Sequence, residues 1–288
     1  MDRLTFACFV LSAVGPGPAP GSGPVTNPGA SPGPSPSSGP SGPSPSPNPS
    51  PSPSPSPSPS SYYCPTATCA SGQPNIGCDP FPADGNPECG TERFAVTMTT
   101  AFKDKILQMH NNYRSKVALG QTGNLDLPAS SRMATVVWDD GLEVQASHLS
   151  RTCADVHVCS NTADFSNVGT LTDQLGGAIG VNKNYNVVIS SAIDGWYGGY
   201  NGASGAAIDS YPDPDNAIPN FSQLVRGDVY KIGCAMHYGD GEIYIVCNYS
   251  SANTEGTPVY LTGPTASACK TGTNPNYPGL CSVNEIFK

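Results

Sequence analysis

The sequence predicts an α+β fold, a three-layer α-β-α sandwich with a central antiparallel sheet, which is rich in disulfides and preceded by a disordered Pro/Ser stalk. Three observations predict it. Helical periodicity dominates the first half of the folded region, whereas the second half contains strands rich in aromatic and β-branched residues. Eleven cysteines occur among the 288 residues, and the stretch before the folded region is built almost wholly from Pro, Ser and Gly.

The first 61 residues divide into a predicted secretion signal and a predicted linker. Arg3 precedes the apolar run from Leu4 to Val14, which is too short to span a bilayer and is typical of a signal-peptide core. We therefore predict a signal peptide over residues 1–15. Residues 16–61 contain no charged side chain and little that is apolar, so they cannot offset the entropy of ordering and are predicted to be a disordered linker.

Cysteine usage and charge define the compartment and exclude one class of partner. Cys8 lies inside the predicted signal, and the ten cysteines that remain can all pair, which indicates an oxidising environment. The formal net charge is −9 and the isoelectric point is near 4.7. No basic patch occurs, so we expect no nucleic-acid partner. We expect a secreted, extracellular protein with no membrane span.

Three helices are expected in the first part of the folded region. The first carries apolar residues at helical spacing along one face and stops at Gly120. These residues are Phe102, Ile106, Met109, Tyr113 and Val117. The second helix begins near Asp139 or Asp140, since either is a plausible N-cap. The third and weakest covers about 188–200, where several glycines oppose a helix.

Strands are expected in the second part. Residues 62–98 show no helical or strand period, and disulfides are expected to hold this segment in place. Aromatic and β-branched residues are concentrated in 221–225, 230–238 and 242–249, which we predict to be strands.

The last two of these strands form a predicted hairpin. Asp240-Gly241 is a strong signal for a two-residue turn between them. The turn sets the register, which places Cys234 opposite Cys247 at a non-hydrogen-bonded position, where the two backbones approach most closely. This geometry suits a disulfide.

The folded region contains several segments with a recognisable pattern. "QMHNNYRSKVALG" (108–120), "VVWDDGLEVQASHLSRTC" (136–153) and "IVCNYSSAN" (245–253) resemble the CAP superfamily of cysteine-rich secretory and antigen 5 proteins. "YYCPTATCASGQPNIGCDPFPADGNPECG" (62–90) resembles the cysteine-rich start of insect venom antigen 5. The tail "CKTGTNPNYPGLCSVNEIF" (269–287) looks like the end of dipteran antigen 5-related proteins, many of which are salivary.

The resemblance implies a domain organisation and a disulfide pattern. It divides the folded region into a cysteine-rich N-terminal loop segment (62–98), a CAP domain (99–260) and a disulfide-closed C-terminal tail (261–288). Cysteine spacing alone cannot fix the connectivity. The pairs implied by the resemblance are Cys64–Cys78, Cys69–Cys159, Cys89–Cys153, Cys234–Cys247 and, for the tail, Cys269–Cys281.

The resemblance also indicates where a site would lie. Many members of the family carry two histidines and two acidic residues in a central cleft, and in some the histidines hold a divalent metal. At these positions the sequence has His157, Thr170, Gly199 and Asn220. A single imidazole does not make a metal site. No G-x-S-x-G, H-E-x-x-H or phosphate-loop motif occurs, so we expect no metal, no cofactor and no enzymatic activity.

The four histidines are interpreted structurally. His157 is expected to be a hydrogen-bonded residue near a disulfide. His110 and His148 fall inside predicted helices, where a role in packing is expected. His237 lies near the hairpin turn and is expected to be exposed.

Two short motifs in the second half have functional interpretations. Asn220 and Asn248 begin N-x-S sequons, and Asn220 is the better candidate for N-glycosylation because Asn248 lies in a strand-end motif where a hydrogen-bonding role is expected. Arg226-Gly227-Asp228 is a candidate integrin-binding tripeptide, but a Gly-Asp pair is also typical of a tight turn. Integrin binding requires an exposed loop with both charges free.

The leading functional hypothesis is a non-catalytic secreted binding protein of the antigen 5 type, salivary or venom-like. Its partner is expected to be a host protein or a small lipid or amine ligand, and we expect a monomer. One alternative is an integrin antagonist that acts through 226–228. A structural or reproductive secretory protein is another, and a metal-dependent hydrolase is disfavoured by Thr170, Gly199 and Asn220.

Overall fold

The computed structural model describes residues 63–64, 69, 72–156, 158–211 and 218–287. The predicted signal peptide, the predicted linker and His157 lie outside the described residues. The helices are Thr100–Ala118 (α1), Asp140–Ser150 (α2), Gly177–Val181 (α3), Tyr185–Gly198 (α4), Gly205–Asp209 (α5) and Pro219–Val225 (α6). The strands are Arg93–Val96 (β1), Ser130–Arg132 (β2), Val137–Trp138 (β3), Gly169–Leu175 (β4), Lys231–Gly239 (β5), Glu242–Tyr249 (β6) and Leu261–Thr262 (β7).

The main sheet is antiparallel, in the order β1-β5-β6-β4, and short β3 adds a parallel pairing to β5. Strands β2 and β7 form a separate two-stranded sheet. Helix α2 packs on one face of the main sheet, while α4 and α6 contact the other face and α1 packs against them. The predicted three-layer α-β-α sandwich is therefore confirmed.

Alternation along β5 separates the two layers of the core. Ile232 and Met236 point into the larger cluster, which the sheet forms with α1, α4 and α6. Ala235 faces the other way, into a smaller cluster with Ala146 and Leu149 of α2.

The hairpin between β5 and β6 has the predicted register. Gly239 pairs with Glu242, and Cys234 lies opposite Cys247 with the two Cα atoms 4.1 Å apart. Gly241 has φ +91°, a conformation that glycine adopts without steric cost. The described residues form five disulfides, and they are the same five pairs that the family resemblance implies.

Two predictions about strands were wrong. Residues 221–225 lie in α6 rather than in a strand, because Phe221, Leu224 and Val225 follow a helical spacing and all three are buried. Pro219 also suits the first turn of a helix, where its missing N–H costs nothing. The segment 62–98 was expected to have no strand, yet it contains β1, whose four residues are too few to show a period.

The three predicted helices are present. Asp139 is the N-cap of α2 and accepts a hydrogen bond from the backbone N–H of Leu142 (3.0 Å), which decides between the two aspartates. α1 ends at Ala118, shortly before the predicted stop at Gly120. Strand β4, which the sequence analysis did not identify, completes the sheet beside β6.

Candidate functional site

A cleft of about 620 Å³ opens beside the start of β4, the first turn of α6 and the segment after β6. We call it the amide cleft because side-chain amides dominate its polar lining. Side chains that give it this character are Asn161, Asn167, Thr170, Asn220, Gln223 and Asn253. None of the described residues that line it is an aspartate, glutamate, lysine, arginine or histidine.

The amides brace the walls of the cleft. Gln223 donates from Nε2 to the Ser251 carbonyl (2.8 Å) and accepts at Oε1 from the backbone N–H of Asn253 (3.1 Å). Asn253 in turn donates from Nδ2 to the Ser222 hydroxyl (2.8 Å). On the opposite wall, the Asn161 side chain accepts from the backbone N–H of Val168 (3.0 Å). The first two sets of bonds join α6 to the segment after β6, and the Asn161 bond closes the loop before β4 on itself.

Three of the four family positions for metal ligands lie among the described residues, and none of the three supplies an imidazole or a carboxylate. The Thr170 hydroxyl donates to Asn248 Oδ1 (2.8 Å), and Asn220 offers only a neutral amide. Gly199 follows the end of α4 and has no side chain to contribute. His157 lies outside the described residues. Zinc in proteins prefers imidazole, thiolate or carboxylate ligands, and the described lining of the cleft supplies none.

The Arg226-Gly227-Asp228 tripeptide is built into the fold. Arg226 Nε lies 2.8 Å from Asp228 Oδ1, and only 10% of the Arg226 side chain is exposed. The Ser251 hydroxyl bonds to both side chains, at 3.1 Å from Arg226 Nε and 3.2 Å from Asp228 Oδ2. A Cβ at Gly227 would lie 2.9 Å from Cβ of Tyr260, so the backbone here is closely covered. The two charges therefore form an ion pair in which Arg226 is largely buried, while the Asp228 side chain is 46% exposed.

Arg114, which the sequence analysis did not identify, binds the backbone around the Arg226-Gly227-Asp228 tripeptide. Its guanidinium is fully buried and donates to the carbonyls of Leu224 (3.0 Å), Arg226 (2.8 Å), Val229 (3.0 Å) and Ala134 (2.9 Å). Burial lowers the pKa of Arg114 to about 10, which still leaves it charged at neutral pH. The only signal in the sequence is a polar residue on the buried side of α1.

The three described histidines are all buried. His110 bonds to the Ile106 carbonyl (2.8 Å) and to the Tyr249 hydroxyl (2.9 Å), and burial lowers its pKa to about 4. Burial lowers the pKa of His148 to about 4 as well and also lowers that of His237.

The expectation that His237 is exposed was wrong. β1 pairs along β5, and the backbone at Gly85 covers the imidazole. The His237 ring lies close to the sulfurs of Cys89 and Cys153. These sulfurs are joined in a disulfide and offer no thiolate to a metal.

The two sequons differ sharply in accessibility. Asn220 is exposed in the first turn of α6, on the lining of the amide cleft. Asn248 is fully buried, accepts the Thr170 hydroxyl at Oδ1 and donates from Nδ2 to the Leu142 carbonyl (3.4 Å). No described helix is long and apolar enough to cross a membrane.

The fold and the cleft define a disulfide-stapled α-β-α sandwich protein with a polar, uncharged lining among the described residues of its cleft. Comparison with known proteins gives the family. Residues 107–249 match the model of the cysteine-rich secretory protein family, CAP. The chain is 35% identical over 234 residues to Venom allergen-1 of Aedes aegypti, which covers 77% of this chain and 88% of the relative. The chain therefore belongs to the CAP family.

Two further comparisons describe the breadth of the similarity. Tabinhibitin 3 of Tabanus yao is 28% identical over 232 residues, which cover 78% of this chain and 88% of that protein. The crystal structure of NaASP2 with Zn²⁺ aligns with a TM-score of 0.57 at 23% identity, covering 64% of this chain and 97% of that one. At this identity the structural similarity shows the fold alone.

Proposed function

We propose that this chain is a non-catalytic extracellular binding protein of the antigen 5 type, which acts on a host protein or on a small amphipathic ligand. One observation carries the proposal: the cleft is open, yet its described lining has no acid, base or metal ligand. General acid–base and metal-assisted mechanisms need such groups within reach of the substrate. The names of the relatives, Venom allergen-1 and Tabinhibitin 3, support a secreted protein of the venom or salivary type.

Within that proposal, the cleft favours a small amphipathic ligand. Its volume of about 620 Å³ lies in the range of small-molecule sites. Apolar side chains of Val158, Leu171 and Pro219 line it together with the amides. An amine is a poorer match than an uncharged amphiphile, because no carboxylate among the described lining residues can balance a positive charge.

The integrin hypothesis has less support. Recognition of an Arg-Gly-Asp segment requires both charges to be available to the receptor, whereas Arg226 and Asp228 form an ion pair with each other. Freeing them would break that pair and the two bonds to Ser251. We propose that the tripeptide is structural.

The proposal is tested by measuring binding of a dansylated fatty alcohol, an uncharged amphiphile, to the purified, secreted protein. Asn167→Trp should weaken binding, because Asn167 lines the cleft and an indole there would occupy it. Asp164→Trp is the matched control, since Asp164 is also exposed but does not line the cleft. Equal binding by all three proteins would place the probe outside the cleft and contradict the assignment.

A second measurement addresses catalysis. The protein should show no turnover on a panel of ester and peptide substrates, with or without added Zn²⁺, and binding of the dansylated fatty alcohol should be unchanged by a chelator. Turnover that disappears on chelation and returns with metal would overturn the non-catalytic proposal.

A further inference from the structure

We propose that Asn220 carries the single N-linked glycan of this chain, and that the glycan stands at the rim of the amide cleft and limits the cleft to small ligands. The first part, the glycan itself, depends only on the accessibility of the two sequons. The second part, control of access, rests on the proposed function.

The geometry of Asn220 suits a modified residue. It is exposed, and its side chain forms no hydrogen bond with the described residues, so nothing in the fold is lost when its amide is substituted. Pro219 before it and Phe221 after it fix the direction of this first helical turn, and Phe221 is fully buried beneath it. The Asn220 side chain is therefore anchored on the outer side of a well-packed helix, with room for a bulky group.

The hydroxyl of the sequon has a different role once the chain is folded. Ser222 is buried, donates to the Ile218 carbonyl (2.9 Å) and accepts from Asn253 Nδ2 (2.8 Å). Glycan transfer takes place on the chain before it folds, when this hydroxyl is accessible. After folding, Ser222 binds α6 to Asn253 in the segment after β6, while Asn220 stays exposed.

The second sequon cannot carry a sugar in this fold. Asn248 is fully buried between β4 and α2, where both ends of its amide are bonded to Thr170 and Leu142. A glycan on its Nδ2 would displace α2 from the sheet, because the Leu142 carbonyl occupies that direction. A chain modified at Asn248 would therefore not reach the native state, so secreted protein should carry one glycan.

The position of Asn220 gives the glycan a consequence. It lines the amide cleft together with Tyr211 and Asn167. A glycan attached at this rim is bulky and strongly hydrated, so it competes with any large partner for the mouth of the cleft. Small molecules can still pass beside it. A host protein would then have to bind elsewhere on the surface.

The glycan is located by peptide mapping of protein secreted from a eukaryotic host. Enzymatic removal of the glycan in heavy-oxygen water converts the modified asparagine to labelled aspartate. We expect the label at position 220 and none at 248, and Asn220→Gln should remove the mass shift completely. A label at 248, labels at both positions, or no label at either would overturn the proposal.

Access to the cleft is measured by labelling an introduced cysteine, Asn167→Cys, with maleimides of two sizes. A bulky polyethylene glycol maleimide should react several-fold faster when Asn220→Gln is added than in the glycosylated protein, while N-ethylmaleimide, a small reagent, should react equally with both. Asp164→Cys, at an exposed position that does not line the cleft, should show no such difference with either reagent. The Asn167→Cys protein made in a host that does not glycosylate should match the variant with Asn220→Gln, which separates loss of the glycan from the change of side chain. Equal rates with the bulky reagent would overturn the access part.

The outcomes distinguish this inference from the proposed function. If Asn220→Gln and the glycosylated protein bind the dansylated fatty alcohol equally while only Asn220→Gln admits the bulky maleimide, the glycan covers the cleft and small ligands enter regardless. If neither protein binds the fatty alcohol, the proposed ligand class fails although the glycan map still stands.

Discussion

Replacing Arg114 with methionine should destabilise the protein by about 3 kcal/mol. The substitution keeps an unbranched chain in the helix but removes every donor of the guanidinium. The carbonyls of Leu224, Val229 and Ala134 then have no donor in the part of the chain that the structure describes. Each buried acceptor left unpaired costs about 1–3 kcal/mol. Part of that cost is offset because a buried charge is removed as well, so we take the lower end of the sum.

The measurement is equilibrium unfolding in guanidinium chloride with the disulfides intact, followed by the fluorescence of Trp138 and Trp196. The stability of Arg114→Lys should lie between that of wild type and that of Arg114→Met. An ammonium presents its three donors from one point and cannot reach carbonyls on both sides. Lys116→Met is the matched control. It removes a charge from the exposed face of the same helix, where the contact over the Tyr113 ring contributes about 0.5–1 kcal/mol.

The reasoning is refuted if the free energy of unfolding of Arg114→Met stays within about 0.5 kcal/mol of wild type, the range of ordinary surface substitutions. In that case water or other donors must satisfy the three carbonyls at little cost in free energy. An equally large loss of stability in Lys116→Met would also refute the reasoning. The effect would then come from removing a positive charge from the helix and not from losing the buried hydrogen bonds.

The other predictions concern the tripeptide, pH and the tail. Gly227→Ala should lose about 1–3 kcal/mol in the same unfolding assay, because its Cβ would lie 2.9 Å from Cβ of Tyr260. Wild type and Asp228→Glu should both fail to bind RGD-recognising integrins in a solid-phase assay, and binding by wild type alone would contradict this. Burial lowers the pKa of His148 to about 4, below its unfolded value near 6.5, so the unfolded chain takes up the proton first. The melting temperature should therefore fall between pH 6.5 and 4, and less steeply in His148→Gln. Glu285→Gln should speed amide exchange at Lys270 and Thr271, whose N–H groups donate to the carboxylate.

The sequence-based predictions were most accurate for elements whose structure depends on residues close together in the chain. The hairpin is the clearest case, since Asp240-Gly241 fixes the turn, and the turn fixes which residues face each other. The N-cap of α2 could be narrowed to two neighbouring aspartates because capping depends on the side chain at the start of the helix. The family resemblance added the disulfide pairs that spacing could not.

Predictions failed where distant segments decide the outcome. The three apolar residues at 221–225 fit a short strand or a short helix, and the sequence alone does not decide between them. Nearness to a turn suggested exposure for His237, but β1 comes from far along the chain to cover it. Arg114 was missed because its partners are backbone carbonyls, which leave no trace in side-chain patterns.

The hydrogen bonds around the amide cleft are made within the protein. Gln223 and Asn253 connect α6 to the segment after β6, although Asn253 Oδ1 is buried and accepts no hydrogen bond from the described residues. The N–H of Ala252 in that segment donates to the Asn167 carbonyl (2.8 Å), which joins the segment to the loop before β4. A ligand is therefore not needed to hold the walls together, in contrast to sites where metal binding supplies folding energy. Because the walls are fixed beforehand, little free energy is lost in ordering them when a ligand binds, which favours binding in a small cleft.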